Sequence, residues 1–205
     1  MRLRGRVLAV PMRLPRITSR VVLALLVLSA FWLALVVSSP FLVHSNTLKD
    51  LSGVVGGHEN ESQFKTLGSV PHAVYWLGDA ECHQLAIRSY FLNGNQMAFC
   101  ARDVGLFFGL LIGFFAATFV RWKIPPLLVL LGLVPIAIDG GLQQVTSYES
   151  TNPLRLATGL VAGLVLALLF AHFLFVIEED KAKPKPVIVE PSKVPEKKTS
   201  PDSGQ

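Results

Sequence analysis

Four apolar runs, each about as long as a bilayer core is thick, predict an all-α protein. The expected architecture is a four-span transmembrane helix bundle with a small extracytoplasmic loop region. Composition agrees: of 205 residues, 51% are apolar and 16% charged, where a water-soluble domain carries about 25% charged residues. Mean hydropathy is +0.50. The third observation is the layout of charge. Arg2, Arg4, Arg6, Arg13, Arg16 and Arg20 precede the first apolar run with no acid among them, and without those six the net charge falls from +5 to −1. The basic balance therefore belongs to an N-terminal segment and marks no nucleic-acid-binding face, so no nucleic-acid partner is expected.

Taken in order, residues 1–20 form the basic segment, which is expected on the cytoplasmic side. Residues 21–43 are the first span, uncharged throughout. The run is longer than a signal-peptide core and no small-x-small site follows Val37, so it reads as an uncleaved anchor. Residues 44–103 form the extracytoplasmic loop. Its early part, 45–69, is polar and glycine-containing without strong periodicity, which reads as mobile or loosely docked. Residues 82–103 hold a hairpin-like motif, with Asn93-Gly94 as the turn between Tyr90-Phe91-Leu92 and Met97-Ala98-Phe99. Residues 104–120 are the second span, stopped by Arg121, Trp122 and Lys123. The third, 124–142, opens on Pro125-Pro126, which suit first helical positions, and carries Asp139 near its far end. The fourth, 156–177, is closed by Glu178, Glu179 and Asp180. Residues 178–205 are Lys/Pro/Glu-rich and read as a disordered cytoplasmic tail.

Orientation follows from the basic residues. With both termini inside, the inner segments hold fourteen Lys and Arg and the outer ones five. A multi-pass protein of the plasma membrane with cytoplasmic N- and C-termini is expected, its partner the lipid bilayer. Gly105, Gly109 and Gly113 line one stripe of the second span, and Gly159 and Gly163 one stripe of the fourth. Small residues let helix backbones approach closely in lipid. These stripes read as bundle interface, and as surfaces through which a homo-oligomer or a larger membrane complex could form.

The chemistry-bearing residues gather at the outer rim. Cys82, His83, Cys100 and Asp103 offer thiolate, imidazole and carboxylate ligands of a kind that suits zinc. A Cys82–Cys100 disulfide is the simpler reading and comes first. It would constrain the unfolded chain by about 3 kcal/mol. Two free thiols are the third reading. Register opposes the disulfide mildly: with the turn at Asn93-Gly94, facing residues sum to 187, so Cys100 faces Ile87 and the arms must leave the ladder for the sulfurs to meet. Asp103 also suits a helix start as a cap. Asp139 lies about 22 Å above the inner end of its span, where an ionisable group needs water or a partner. Arg88, Arg102 and Arg155 are the basic candidates, and Gln143, Asn152 and Thr158 add hydrogen-bonding groups. His172 is expected to be a helix-packing residue. No other span offers a histidine, so haem is not expected. No phosphate-cradling loop, nucleophile elbow or zinc-protease helix is present.

The ordered polar residues carry a resemblance. Cys82-His83-Gln84, Arg88-Ser89, Cys100-Ala101-Arg102, Asp139-Gly140 with Gln143, and Asn152 with Arg155, Thr158 and Gly159 are similar to a prokaryotic family of small membrane proteins. That family is catalogued only as a domain of unknown function. The resemblance covers roughly residues 80–165 and implies a membrane location without an activity. In the family the Cys-Ala-Arg step is usually followed by another cysteine. This chain has Asp103 there.

The functional expectation is an integral membrane protein of unknown biochemical activity with an extracytoplasmic polar site. The site would bind a ligand or a metal at Cys82, His83, Gln84, Arg88, Cys100, Arg102, Asp103, Asp139, Gln143, Asn152, Arg155 and Thr158. Were it catalytic, Asp139 with His83 would be the acid/base pair to examine. One alternative is a structural or accessory subunit, held by a Cys82–Cys100 disulfide and Asp139–Arg ion pairs. A further alternative is a small transporter acting as an oligomer, since four spans without repeats make no pathway alone.

Overall fold

A computed structural model describes residues 17–51 and 53–182. Most of the basic segment and all residues beyond α6 (183–205) lie outside the described residues. Among the described residues four helices are long and apolar enough to cross a membrane, as the expected fold class requires. Helix α1 spans Arg20–Ser38 and runs on into a 3-10 turn at Ser39–Phe41. Ser19 caps it, its Oγ accepting from the N–H groups of Val21 (3.2 Å) and Val22 (3.4 Å). The next three spanning helices are α4 (Ala101–Phe119), α5 (Pro126–Val145) and α6 (Asn152–Ala182), with two short helices, α2 (Glu61–Phe64) and α3 (Ser69–Glu81), before them. Helix α6 has 31 residues, about 46 Å at 1.5 Å per residue. It therefore outruns the hydrocarbon and extends past both ends of the expected 156–177 run. At one end Glu178 accepts from Ser19 Oγ and from Arg121 Nη2, the latter at 3.0 Å, tying α6 to the start of α1 and to the α4–α5 turn.

Helices α4 and α6 form the centre of the bundle because their glycine stripes face each other. A Cβ at Gly105 would lie 2.2 Å from Leu156 O, and one at Gly109 2.2 Å from Leu160 O. Reciprocally, Cβ atoms at Gly159 and Gly163 would lie 2.1 Å from Arg102 O and Leu106 O. Backbone touches backbone, so any side chain there must part the helices. The stripes meet each other within the chain, as the bundle-interface reading expects. By contrast α5 packs on α6 and leaves Leu127, Leu128, Leu130, Leu131 and Ile138 exposed, an apolar surface that lipid would solvate.

The segment expected to be loose is docked. Leu48, Leu51 and Phe64 are buried at 0–1% exposure in one cluster with Val74, Tyr75, Met97 and Phe99. Two polar side chains pin it. Asn95 Oδ1 accepts from the Thr47 and Leu48 N–H groups (2.9 and 3.0 Å), and Gln96 Oε1 from Leu51 N–H (3.1 Å). A polar composition hid this docking, because the few apolar residues that anchor the segment are widely spaced. Helix α3 was not legible either. Its buried residues include Pro71, Val74, Tyr75 and Gly78.

The hairpin keeps the expected register. Strands β1 (Phe91–Leu92) and β2 (Asn95–Gln96) pair Phe91 with Gln96 and Leu92 with Asn95. Asn93 and Gly94 have φ of 52° and 71°. Those left-handed values make the tight turn that Asn-Gly favours.

Candidate functional site

Cys82 ends α3, its N–H reaching Gly78 O at 2.9 Å, and Cys100 is the residue immediately before α4. The ladder between them stops after a few residues. Gln84, with φ of 47°, turns the chain just past Cys82, and a 3-10 turn at Ala86–Arg88 carries it to the hairpin. The arms thus leave the ladder, and one Sγ from each cysteine and one carboxylate oxygen of Asp103 lie within 4.8 Å of one another. Both cysteines are free thiols. Cys100 Sγ donates to Asp103 Oδ2 at 3.0 Å. That bond takes the place of the capping role expected of Asp103, which still sits in the first, positive turn of α4.

The electrostatics of the three groups are coupled. A hydrogen bond from Cys100 holds the Cys82 thiol below its ordinary range. Cys100 is pushed far up, first by its hydrogen bond to Cys82, then by burial and the Asp103 charge.

His83 does not join them. Cys82 is in extended backbone (φ −137°, ψ 147°), where successive side chains point to opposite sides, and His83 is exposed. The groups that converge among the described residues are Cys82, Cys100 and Asp103, without the expected imidazole. Gln84 is not a ligand-facing group either. It is fully buried, with Nε2 donating to Ala98 O at 2.8 Å. Next to it, Asp79 accepts from Asn60 N–H (3.0 Å) and Asn60 Nδ2 (2.7 Å), a buried polar pair that sequence reasoning missed. No spacing signal marks residues nineteen apart.

The arginines form a second cluster. Arg102, in the first turn of α4, donates through Nη2 to Asp139 Oδ2 and to Gln143 Oε1 (3.0 Å). Tyr148 OH donates to the other Asp139 oxygen at 3.4 Å. Of the three candidate partners, Asp139 therefore pairs with Arg102, and His83 is not among its partners. Arg88 and Arg155 pair with Glu149, which the sequence reading did not single out. Arg88 donates from Nε (2.8 Å) and Nη2 (2.9 Å) to the two Glu149 oxygens, as a planar fork. Arg155 Nη2 and Gln143 Nε2 also donate to Glu149 Oε1, the latter at 3.0 Å. The Arg88 bond foremost, with Arg155 and Gln143, holds the Glu149 carboxyl down at about 2. The signal for Glu149 was available: an acid in the short turn before an arginine-bearing helix start. Asn152 Nδ2 donates to Ser89 O at 3.2 Å, and Thr158 Oγ1 bonds back to Arg155 O within α6 (3.1 Å). These two support the cluster without facing into it.

Residues 82–169 match a family model described as Predicted membrane protein (DUF2085). The match begins at the first thiol and includes every residue of both clusters. An uncharacterised protein of Methanocaldococcus jannaschii is 36% identical over 113 residues, 53% of this chain and 70% of that protein. An uncharacterised protein of Methanothermobacter thermautotrophicus is 36% identical over 91 residues, 43% of this chain and 82% of that protein. No solved structure matches the chain.

Proposed function

The chain belongs to the family of predicted membrane proteins DUF2085, and from that premise we propose that it binds a soft divalent cation of the zinc class at the non-cytoplasmic rim of the plasma membrane. Cys82, Cys100 and Asp103 are the ligands. The observation that carries the reading is their convergence: two sulfurs and a carboxylate oxygen, from two different helix ends, within 4.8 Å. Two thiolates and a carboxylate suit zinc, and three protein ligands leave a fourth position for water or substrate. Asp103 stands where the family resemblance has a cysteine, so an anionic ligand replaces an anionic ligand. Asp103 borders a cleft of about 310 Å³ together with Glu81. The excess of basic residues on the opposite side supports cytoplasmic termini and, with them, a non-cytoplasmic position for this rim.

The chain's own contribution is to pre-assemble the ligands. A cation displaces thiol protons as it binds, so affinity rises with pH until both thiols are ionised. Because Cys82 ends α3 and Cys100 begins α4, a bound cation also ties the loop region to the bundle.

The test is titration of the purified full chain in detergent, under reductant, with cobalt(II) as a spectroscopic stand-in for zinc. One equivalent should bind with thiolate-to-cobalt charge-transfer absorption, and Cys100→Ser should weaken binding by more than about a hundredfold, beyond the typical loss of an outer-shell partner. Absence of that absorption at pH 8, with both thiols verified free, would sink the reading. A quantitative Cys82–Cys100 bridge in protein isolated without reductant would instead favour the structural subunit. For that the sulfurs need only close to about 2.05 Å from their present neighbourhood.

A further inference from the structure

Arg155 is 1% exposed, yet only its Nη2 finds an acceptor, Glu149. Its Nε and Nη1 are buried without a hydrogen-bond partner, and so is Nε of Arg102. A buried donor left unpaired costs its full desolvation free energy, more so when it is charged. Three guanidinium nitrogens are therefore left without an acceptor among the described residues, although Ser150 Oγ and Asn152 Oδ1 at the start of α6 are buried and unpaired as well. Charge tells the same story. Arg88, Arg102 and Arg155 are met by Asp139 and Glu149, leaving one positive charge in excess.

The acid that faces Arg155 is also the one able to leave. Glu149 lies in the turn between α5 and α6, and its side chain is 43% exposed. Its carboxylate takes two N–H groups from Arg88, one from Arg155 and one from Gln143. A forked guanidinium and convergent N–H donors, set at the positive end of a 31-residue helix, are the means by which proteins hold oxyanions. We propose that Arg88, Gln143 and Arg155 form a binding site for a phosphate-class oxyanion, filled in this structure by the chain's own Glu149 carboxylate. The ligand turns Glu149 out to solvent, and its additional oxygens supply the acceptors that Arg155 lacks. Free phosphate and the phosphate of a lipid headgroup present the same chemistry at a membrane rim. No residue of the thiol cluster takes part, so the site stands or falls independently of cation binding.

The experiment compares thermal unfolding of the full chain, wild type and Glu149→Ala, with Glu149→Gln as the milder variant should Ala prevent folding. One arm adds inorganic phosphate to detergent-solubilised protein. The other reconstitutes the protein in nanodiscs of phosphatidylcholine with or without phosphatidic acid. Removing the resident carboxylate should lower Tm, and a phosphate-class anion at about a hundredfold above its Kd should restore several degrees. Adding Arg88→Gln to the Glu149 variant should abolish the restoration. Rescue by phosphatidic acid alone identifies a lipid headgroup, and rescue by inorganic phosphate identifies a free oxyanion. Rescue by neither, or equal rescue by sodium chloride of matched ionic strength, overturns the proposal.

Discussion

Arg102 and Asp103 are neighbours in the first turn of α4, yet they enter two clusters of opposite character. Asp103 joins two cysteines, giving a cluster of two thiols and a carboxylate with no basic side chain paired to it among the described residues. Arg102 joins the arginine side, where guanidinium donors outnumber carboxylates. Successive helix residues are about 100° apart around the axis, so one helix start divides its charges between the face toward α3 and the face toward α5. Each cluster is completed by a residue outside the spanning helices, Cys82 at the end of α3 and Glu149 in the α5–α6 turn. One helix start, that of α4, thus contributes to two clusters of opposite charge.

The contact itself is the most sensitive point. A Cβ at Gly159 would lie 2.1 Å from the backbone oxygen of Arg102. Gly159→Leu should part α4 from α6 at the level of both clusters and cost at least about 3 kcal/mol, the upper part of the usual overpacking range. The measurement is thermal unfolding in detergent together with Cys100 labelling, which should accelerate. Unchanged Tm would mean that the helices are not held as described.

The second test separates the clusters. Asp139 has a side chain 4% exposed, against 22% for Arg102. Asp139→Asn leaves Arg102 without its countercharge and should cost near the lower end of about 3–5 kcal/mol, since part of the guanidinium still reaches solvent. Cobalt binding and thiol reactivity should remain as in the wild type. A change in both would show that the two clusters act as one unit.

The smallest effect is a pH dependence. The Glu149 carboxyl is held at about 2 against an ordinary value of 4.5. A depressed folded-state value means stability that is present above pH 4.5 and is lost as pH falls toward 2. The side chain is 43% exposed, so solvent screening keeps the contribution modest. The acid limb of a Tm-versus-pH profile should be shallower in Glu149→Gln than in the wild type. Identical limbs would show that Glu149 is not the group responsible.

The sequence by itself determined the properties that are local in the chain. Runs of apolar residues long enough to cross hydrocarbon identified the four spans, because every backbone group in lipid must be satisfied within its own segment. Asn93-Gly94 defined the turn and hence the register of the hairpin, because few residues accept left-handed backbone twice in succession. Only the tertiary structure decided which groups meet across elements. The rotation of α4 against α6 turned the glycine stripes inward, the reversal at Gln84 brought Cys82 to Cys100 and left His83 outside, and the α5–α6 turn delivered Glu149 to Arg88 and Arg155. These pairings join residues up to 61 positions apart. They depend on helix rotation and loop path, quantities that no local pattern of hydropathy or spacing encodes.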